Sequence, residues 1–210
     1  MAFPRSVAAR IAKLADDQTP TFRLLERADF AEPGDATLEQ FEALAEQVLP
    51  GLEQSTGVSL LASGVSDDEI WGIWDMPTVQ SLWDAMRYTS QDANYAQMQS
   101  LIRNEQQDFY YIWLEEGDPT QKDPGYRYAR YTDTASAVQL NEKMVEFEEL
   151  TLDPNVQHSW AAMLVSETGQ LYVLEKIWRC VTDDDTVSAT ASDGTEIDVQ
   201  VWNPGSYEES

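Results

Sequence analysis

Apolar positions along the chain change period several times, and each change marks an element. TFRLLERADF, residues 21–30, has the composition of a strand and runs into a turn at Pro33-Gly34. From Thr37 the period becomes helical. Leu38, Phe41, Leu44, Ala45, Val48 and Leu52 share one face, Thr37 and Gln40 are placed as a capping box, and Pro50-Gly51 should weaken or end the helix. VSLLASG (58–64) and EIWGIWDM (69–76) then read as two strands of a hairpin joined by the polar residues 65–68. Pro77 suits the first position of a following helix, with Val79, Leu82, Trp83 and Met86 as its apolar stripe. A second helical stretch covers 94–106, carrying Met98, Leu101 and Ile102, and DFYYIWLEE (108–116) closes the block as a strand.

Strand, helix, strand, strand, helix, strand is the ferredoxin-like unit. After the polar linker GDPTQKDPG (117–125) the pattern restarts. YRYARYTD (126–133) is a strand, and 135–150 a helix with Val138, Leu140, Met144, Val145 and Phe147 as apolar members. HSWAAMLVSE (158–167) and QLYVLEKIWRCV (170–181) form a hairpin about Thr168-Gly169. Where a second helix is due, Val187, Ala189 and Ala191, then Ile197, Val199 and Val201, alternate around Asp193-Gly194, which is a hairpin signature. The expected fold class is therefore α+β, with two tandem ferredoxin-like βαββ(αβ) repeats at 20–117 and 125–202. The second repeat ends in an extra β-hairpin. Residues 1–19 read as an amphipathic helix or extension with Val7, Ile11 and Leu14 on one face, and 203–210 as a frayed tail.

TFRLLERADF, the helix at 37–49 and the hairpin ending in GIWDM resemble the dimeric α/β-barrel superfamily, which includes the antibiotic-biosynthesis-monooxygenase-like and stress-responsive barrel families. DMPTVQSLWDAM is similar to the strand, tryptophan, turn and helix junction of monooxygenase-like members. The resemblance covers about residues 20–180 and is one of pattern. It implies that a doubled chain closes an α/β-barrel by itself. Helices would cover one face of each sheet, and the other face would line a central cavity. VSLLAS, FYYIWL and AAMLV, apolar at successive positions, suit strands covered on both faces.

Charge narrows the function. With 38 acidic against 13 basic residues the formal net charge is −25, which repels phosphate backbones and anionic membranes, so neither nucleic acid nor a membrane is an expected partner. The acids are spread along the whole chain, which favours salt adaptation over an acidic face made for one basic partner. Trp 7, Tyr 9 and Phe 6 supply ample bulk for a core. One cysteine, Cys180, and one histidine, His158, build neither a disulfide framework nor a Cys/His metal site, and no metal is expected. The Asp183–Asp185 run lacks the spacing of a calcium loop. No apolar run reaches the length of a membrane span, and the basic N-terminal stretch lacks the apolar core of a secretory signal, so the expected location is cytoplasmic. No dinucleotide, P-loop or nucleophile-elbow motif occurs, and no cofactor is expected.

Polar residues interrupting strands are the site candidates, because a buried polar group needs a partner or a purpose. His158, beside Trp160, is the natural general base. Tyr128 and Arg130 share a strand face and could together hold an anionic or enolate oxygen. These three are the expected catalytic residues, against the plainer readings of a rim histidine and an arginine paired with surplus acid. Glu26, Glu175 and Lys176 read as rim salt bridges. Alternation puts Trp74 and Gly72 on one side of their strand and Trp71 on the other, with Trp83 as a core anchor. Trp74, Gly72 and Trp113 are the expected substrate-binding residues. The leading expectation is a small-molecule-binding barrel for a hydrophobic or aromatic compound, with cofactor-independent monooxygenase-like chemistry or a related proton transfer. The alternative is a non-catalytic acidic interaction protein whose barrel is filled by side chains. The pattern leaves open whether the chain forms a homo-oligomer.

Overall fold

In the computed structural model, residues 22–208 are described; the expected N-terminal helix at 1–19 lies outside them. They form an α+β fold of antiparallel strands and four helices. These divide into two compact units, residues 22–61, 67–109 and 206–208, and residues 62–66 and 110–205.

The first unit contains β1 (Phe22–Phe30), α1 (Asp35–Thr56), the start of β2 (Ser59–Val65), β3 (Glu69–Met76), α2 (Val79–Thr89), α3 (Ala93–Gln99) and the first half of β4 (Ile102–Gly117). Its strand order is β2-β3-β1-β4, as in a ferredoxin-like unit. β1 and β3 pair antiparallel in an unbroken register from Phe22↔Met76 to Asp29↔Glu69.

Two expectations about α1 are corrected. No side-chain capping box starts α1: the cap is Gly34 at φ 138°, and Thr37 Oγ1 donates instead to the Glu32 carbonyl at 2.6 Å. Nor does α1 stop at Pro50. Its buried face continues past the proline to Leu52 and Thr56, so packing outweighs the hydrogen bond that proline cannot donate. The next residue, Gly51, admits the Tyr88 hydroxyl of α2, which a Cβ would meet at 2.2 Å. Left-handed Gly57 (φ 72°) ends the helix by donating to the Glu53 carbonyl.

Pro77 precedes α2 by two residues. Thr78 is the cap and its Oγ1 accepts from Ser81 N–H at 3.0 Å. Trp83 is not a core anchor: Leu82 and Ala85 carry the buried stripe, and Trp83 is 48 % exposed. The second helical stretch ends at Gln99, and β4 begins at Ile102 instead of Asp108.

The second unit holds the rest of β4 with β5 (Tyr126–Ser136), α4 (Leu140–Glu149), β6 (Thr151–Leu152), β7 (Gln157–Thr168), β8 (Leu171–Val181), β9 (Thr186–Thr190) and β10 (Glu196–Pro204). Their order is β4-β7-β8-β5-β10-β9-β6, and the end of β10 also pairs with Gly64 and Val65 of β2. The expected hairpin after β8 is present as β9 and β10, in register from Thr190↔Glu196 to Thr186↔Gln200. α4 is shorter than 135–150, because β5 runs on to Ser136 and pairs with β8 over its full length. Val138 and Val145 are therefore exposed, while Met144 and Phe147 face the core. The tail is not frayed as far as Glu208. β10 extends to Pro204, and Tyr207 is buried against Phe41 and Met98 in the first unit.

Glu175 and Lys176 are not rim residues. Glu175 is fully buried and accepts from both Arg130 Nε and Nη2 at 2.9 Å, from Thr132 Oγ1 at 2.6 Å and from Tyr110 Oη at 3.1 Å. Lys176 Nζ donates to the carbonyls of Glu148 at 3.0 Å and Leu150 at 2.7 Å, closing the C-terminal end of α4. Burial pulls this ammonium down to about 8. Arg179, also fully buried, stacks near Trp160, Tyr126 and Tyr128 and donates to the carbonyls of Pro119 and Gln121, which pins the loop between β4 and β5.

Candidate active site

Alternation along β1 and β3 turns Leu24, Glu26 and Ala28, with Ile70, Gly72, Trp74 and Met76, towards the helices of the first unit. Between this face and the apolar sides of α1, α2 and α3 lies a cavity of about 130 Å³. It lies on the helix-covered side of the sheet, whereas the barrel resemblance implied the bare side. Its walls include Phe41 and Val48 from α1, Leu82 and Met86 from α2, and Met98 from α3. Trp71 is buried and also borders it, which alternation alone does not predict.

One end of this apolar cavity is polar. Glu26 stands directly opposite Gly72 in the β1–β3 register, so its paired residue has no side chain, and the β3 group beside its carboxyl is the Trp74 indole. A Cβ at residue 72 would lie 3.4 Å from Trp74 Nε1 and 3.3 Å from Leu60 Cδ1, so the missing methyl lets the indole edge settle there. Gln107 Nε2 donates to Glu26 Oε1 and to Glu105 Oε1, both at 2.8 Å. Tyr95 Oη, accepting from Gln99 Nε2 at 3.1 Å, completes the polar end from α3. Trp74 Nε1 is buried and near enough to Glu26 to favour its charged form, yet has no hydrogen-bond partner within 3.5 Å.

The electrostatics follow from this geometry. Burial pushes the Glu26 carboxyl up to about 8. Hydrogen bonding to Glu105 and its charge push the same way, while Gln107 and Trp74 pull against them. The Tyr95 phenol is raised by burial and by the charges of Glu26 and Glu105. Among the described residues, no lysine or arginine lines the cavity. On the other side of β1, Arg23 pairs with Asp75 and Arg27 with Asp108. Burial and the neighbouring acid together favour the protonated form of Glu26.

The sequence-derived candidates separate. Trp74 and Gly72 border the cavity, and neither His158, Tyr128, Arg130 nor Trp113 does. His158 is exposed at the start of β7, opposite Cys180. Tyr128 is fully buried with its hydroxyl 3.4 Å from Arg179 Nη2, and Arg130 is closed on Glu175. They share a strand, but their polar ends turn to different partners. Trp113 sits where the β4–β7 register shifts and is turned outward, 55 % exposed, its indole donating to Glu148. By sequence alone Glu26 reads as a rim charge. The signal that marks it is a carboxylate interrupting the alternate apolar positions Leu24, Ala28 and Phe30, in a strand that pairs with one carrying a glycine. Among the described residues, no cluster groups three or more His, Cys, Asp or Glu side chains as metal ligands.

No protein-family model matches this sequence, and no curated protein matches it. Solved structures do. The crystal structure of an anthrone oxidase-like protein superposes with a TM-score of 0.51 at 8 % identity, over 89 % of this chain and 92 % of that one. The chain shares the fold of that protein. Two crystal structures of proteins each called a "putative monooxygenase" also match. The one from Lactobacillus acidophilus NCFM gives a TM-score of 0.49 at 6 % identity, covering 74 % of this chain and 76 % of that one. The one from Fusobacterium nucleatum subsp. nucleatum ATCC 25586 gives 0.48 at 8 % identity, covering 87 % and 94 %. At these identities the likeness is one of fold.

Proposed function

We propose that the chain is a small-molecule enzyme of the monooxygenase-like type, working without a bound cofactor on an apolar, aromatic compound held in the cavity of the first unit. The observation that carries this reading is the position of the Glu26 carboxyl, at the polar end of an otherwise apolar cavity where burial raises it. A dry cavity of about 150 Å³ in another protein holds one benzene ring, so about 130 Å³ suits the reacting ring of a substrate. Glu26 takes a proton from an activated C–H or O–H of that ring, and the resulting anion gives its electrons to molecular oxygen. For a methylene carbon the balance is CH2 and O2 to C=O and H2O, one oxygen staying on carbon and one leaving as water. Trp74 forms the wall beside the reacting group, and Gly72, without a side chain, makes room for its indole next to the carboxyl. The proposal assigns no catalytic role to His158, Tyr128 or Arg130, and no wall to Trp113.

The same reading takes the chain as two fused ferredoxin-like repeats forming one barrel. The order β7-β8-β5-β10 matches β2-β3-β1-β4 member for member, which supports it. In the second repeat the β9–β10 hairpin stands in place of a helix and strand.

The test is oxygen uptake by the purified protein, without added cofactor, over a panel of anthrones, hydroquinones and simple phenols. Uptake should rise with pH through about 8 as Glu26 becomes the base. Glu26→Gln should lower it by about 10²–10⁴-fold, the usual worth of a positioned acid–base group. Full activity in Glu26→Gln removes the carboxyl from the mechanism.

A further inference from the structure

Glu105 does not line the cavity, yet it is joined to the carboxyl that does. Gln107 Nε2 reaches both acids at 2.8 Å, so one amide group holds the two accepting oxygens within about 5 Å of each other, and the two carboxyls lie within hydrogen-bonding reach. Backbone geometry holds the second acid in place. Ile102 and Gln107 both border the cavity although they are five residues apart on one strand, and strict alternation would send them to opposite faces. Asn104 between them is left-handed, φ 52°, the only residue other than glycine with positive φ among the described residues, and it absorbs the odd residue. Its side chain is tied by Nδ2 to Asp29 of β1 at 2.7 Å. Glu105 follows at once and is aimed back at Glu26. It is only half-buried and is flanked by exposed Asn104 and Gln106, so it stands between the cavity acid and water.

We propose that Glu105 is the proton-relay partner of Glu26: the two carboxyls, clamped by Gln107, share one proton and pass it between the cavity and solvent. The step moves protons only. A ligand proton goes to a Glu26 carboxylate oxygen, Glu26 hands a proton to the Glu105 carboxylate, and Glu105 releases it to water. Like charges at this spacing favour a state with one proton between them, which suits an acid that must be reset after every transfer. The groups facing Glu26 are Glu105 and Gln107 from β4, Trp74 from β3 and Tyr95 from α3; among the described residues no cation lines the cavity to take over the role of the shared proton. The proposal rests on Glu26 being the cavity's proton acceptor, and its test reads titration instead of turnover.

Carbon-13 labelled glutamate side chains would be followed by NMR from pH 4 to 10 in the whole chain. In the wild type the Glu105 signal should show an inflection at the pH where Glu26 titrates, because coupled sites report each other's steps. In Glu105→Gln the Glu26 midpoint should fall by roughly one pH unit or more, the scale expected when a like charge is removed. Binding of benzene, an uncharged probe of the cavity, should stay unchanged. Single-step titrations in the wild type with no echo between the two signals would overturn the pairing without any variant. An unmoved Glu26 midpoint in Glu105→Gln would overturn it as well. If the oxygen-uptake assay fails while the coupling is observed, the proton pair stands and the oxygenation chemistry alone is wrong.

Discussion

Glu26 and Glu175 are both glutamates in the middle of apolar strands, and the molecule treats them in opposite ways. Glu175 in the second unit has a bidentate arginine, a threonine hydroxyl and a phenol, so each carboxylate oxygen is satisfied. Glu26 in the first unit has an amide, a second carboxyl, an indole edge and a cavity. The difference lies in the cross-strand partners. Glu175 pairs with Thr132 on β5 next to Arg130, which supplies the cation, whereas Glu26 pairs with Gly72, which supplies nothing. A buried carboxylate whose charge is balanced on the spot holds a structure together. One left beside empty space and a like charge is available for proton transfer.

The comparison is broken most severely by removing the cation. Arg130→Ala leaves Glu175 buried without its countercharge and should cost about 3–5 kcal/mol in urea unfolding. Glu26→Gln removes a carboxyl that has no such partner and should cost far less at neutral pH. If the two variants melt alike, the contrast between the clusters is wrong.

A pH titration of stability separates them next. The Glu26 carboxyl is raised from 4.5 to about 8, so between those values the folded state keeps a proton that the unfolded chain has lost. Its contribution is fully present below about 4.5 and is lost as pH rises through 8. The fold should therefore weaken across that window by at most about 1.4 kcal/mol for each pH unit. Glu26→Gln should flatten this slope when urea melts are compared at pH 5 and pH 8. A slope unchanged by the substitution would assign it to other groups.

The backbone that aims Glu105 comes third. Asn104→Val places a β-branched residue in the left-handed region and should cost about 1–2 kcal/mol, while Asn104→Gly should be nearly neutral there. Equal melting of the two would mean that the left-handed turn is not needed.

How much of this was legible in the sequence depends on what each feature requires. Strands and hairpins were legible because they depend on neighbours two residues apart, and the β9–β10 hairpin was read from alternation alone. The start of β4 was not, since IRNEQQ is polar, follows a helix and carries a left-handed residue that breaks the alternation. α1 runs through Pro50 because its buried face extends to Thr56, a tertiary gain that local propensity does not contain. Trp113 looked inward by composition and points outward because the register shifts at its position. Glu26 and Glu175 could not be ranked from sequence, since their roles depend on whether a glycine or an arginine faces them. His158 drew attention for its chemistry, and Glu26 is better placed for its position.

Gly72→Ala is the mildest change and the most direct test of what the glycine opposite Glu26 does. The new methyl would come within 3.4 Å of Trp74 Nε1 and 3.3 Å of Leu60 Cδ1, both on side chains that can yield by a few tenths of an ångström. Replacing a strand glycine also reduces the freedom of the unfolded chain, so the two effects oppose each other and net stability should change by less than about 1 kcal/mol. The cavity has no such compensation, because the displaced indole has only the space beside Glu26 to enter. Benzene affinity should fall by about fivefold, which corresponds to about 1 kcal/mol. The Glu26 titration midpoint should shift as the indole moves relative to the carboxyl, since Trp74 is one of the groups that favours its charged form. A variant that binds benzene as the wild type does, with the midpoint of Glu26 unmoved, would mean that the glycine opposite the carboxyl is incidental to the site.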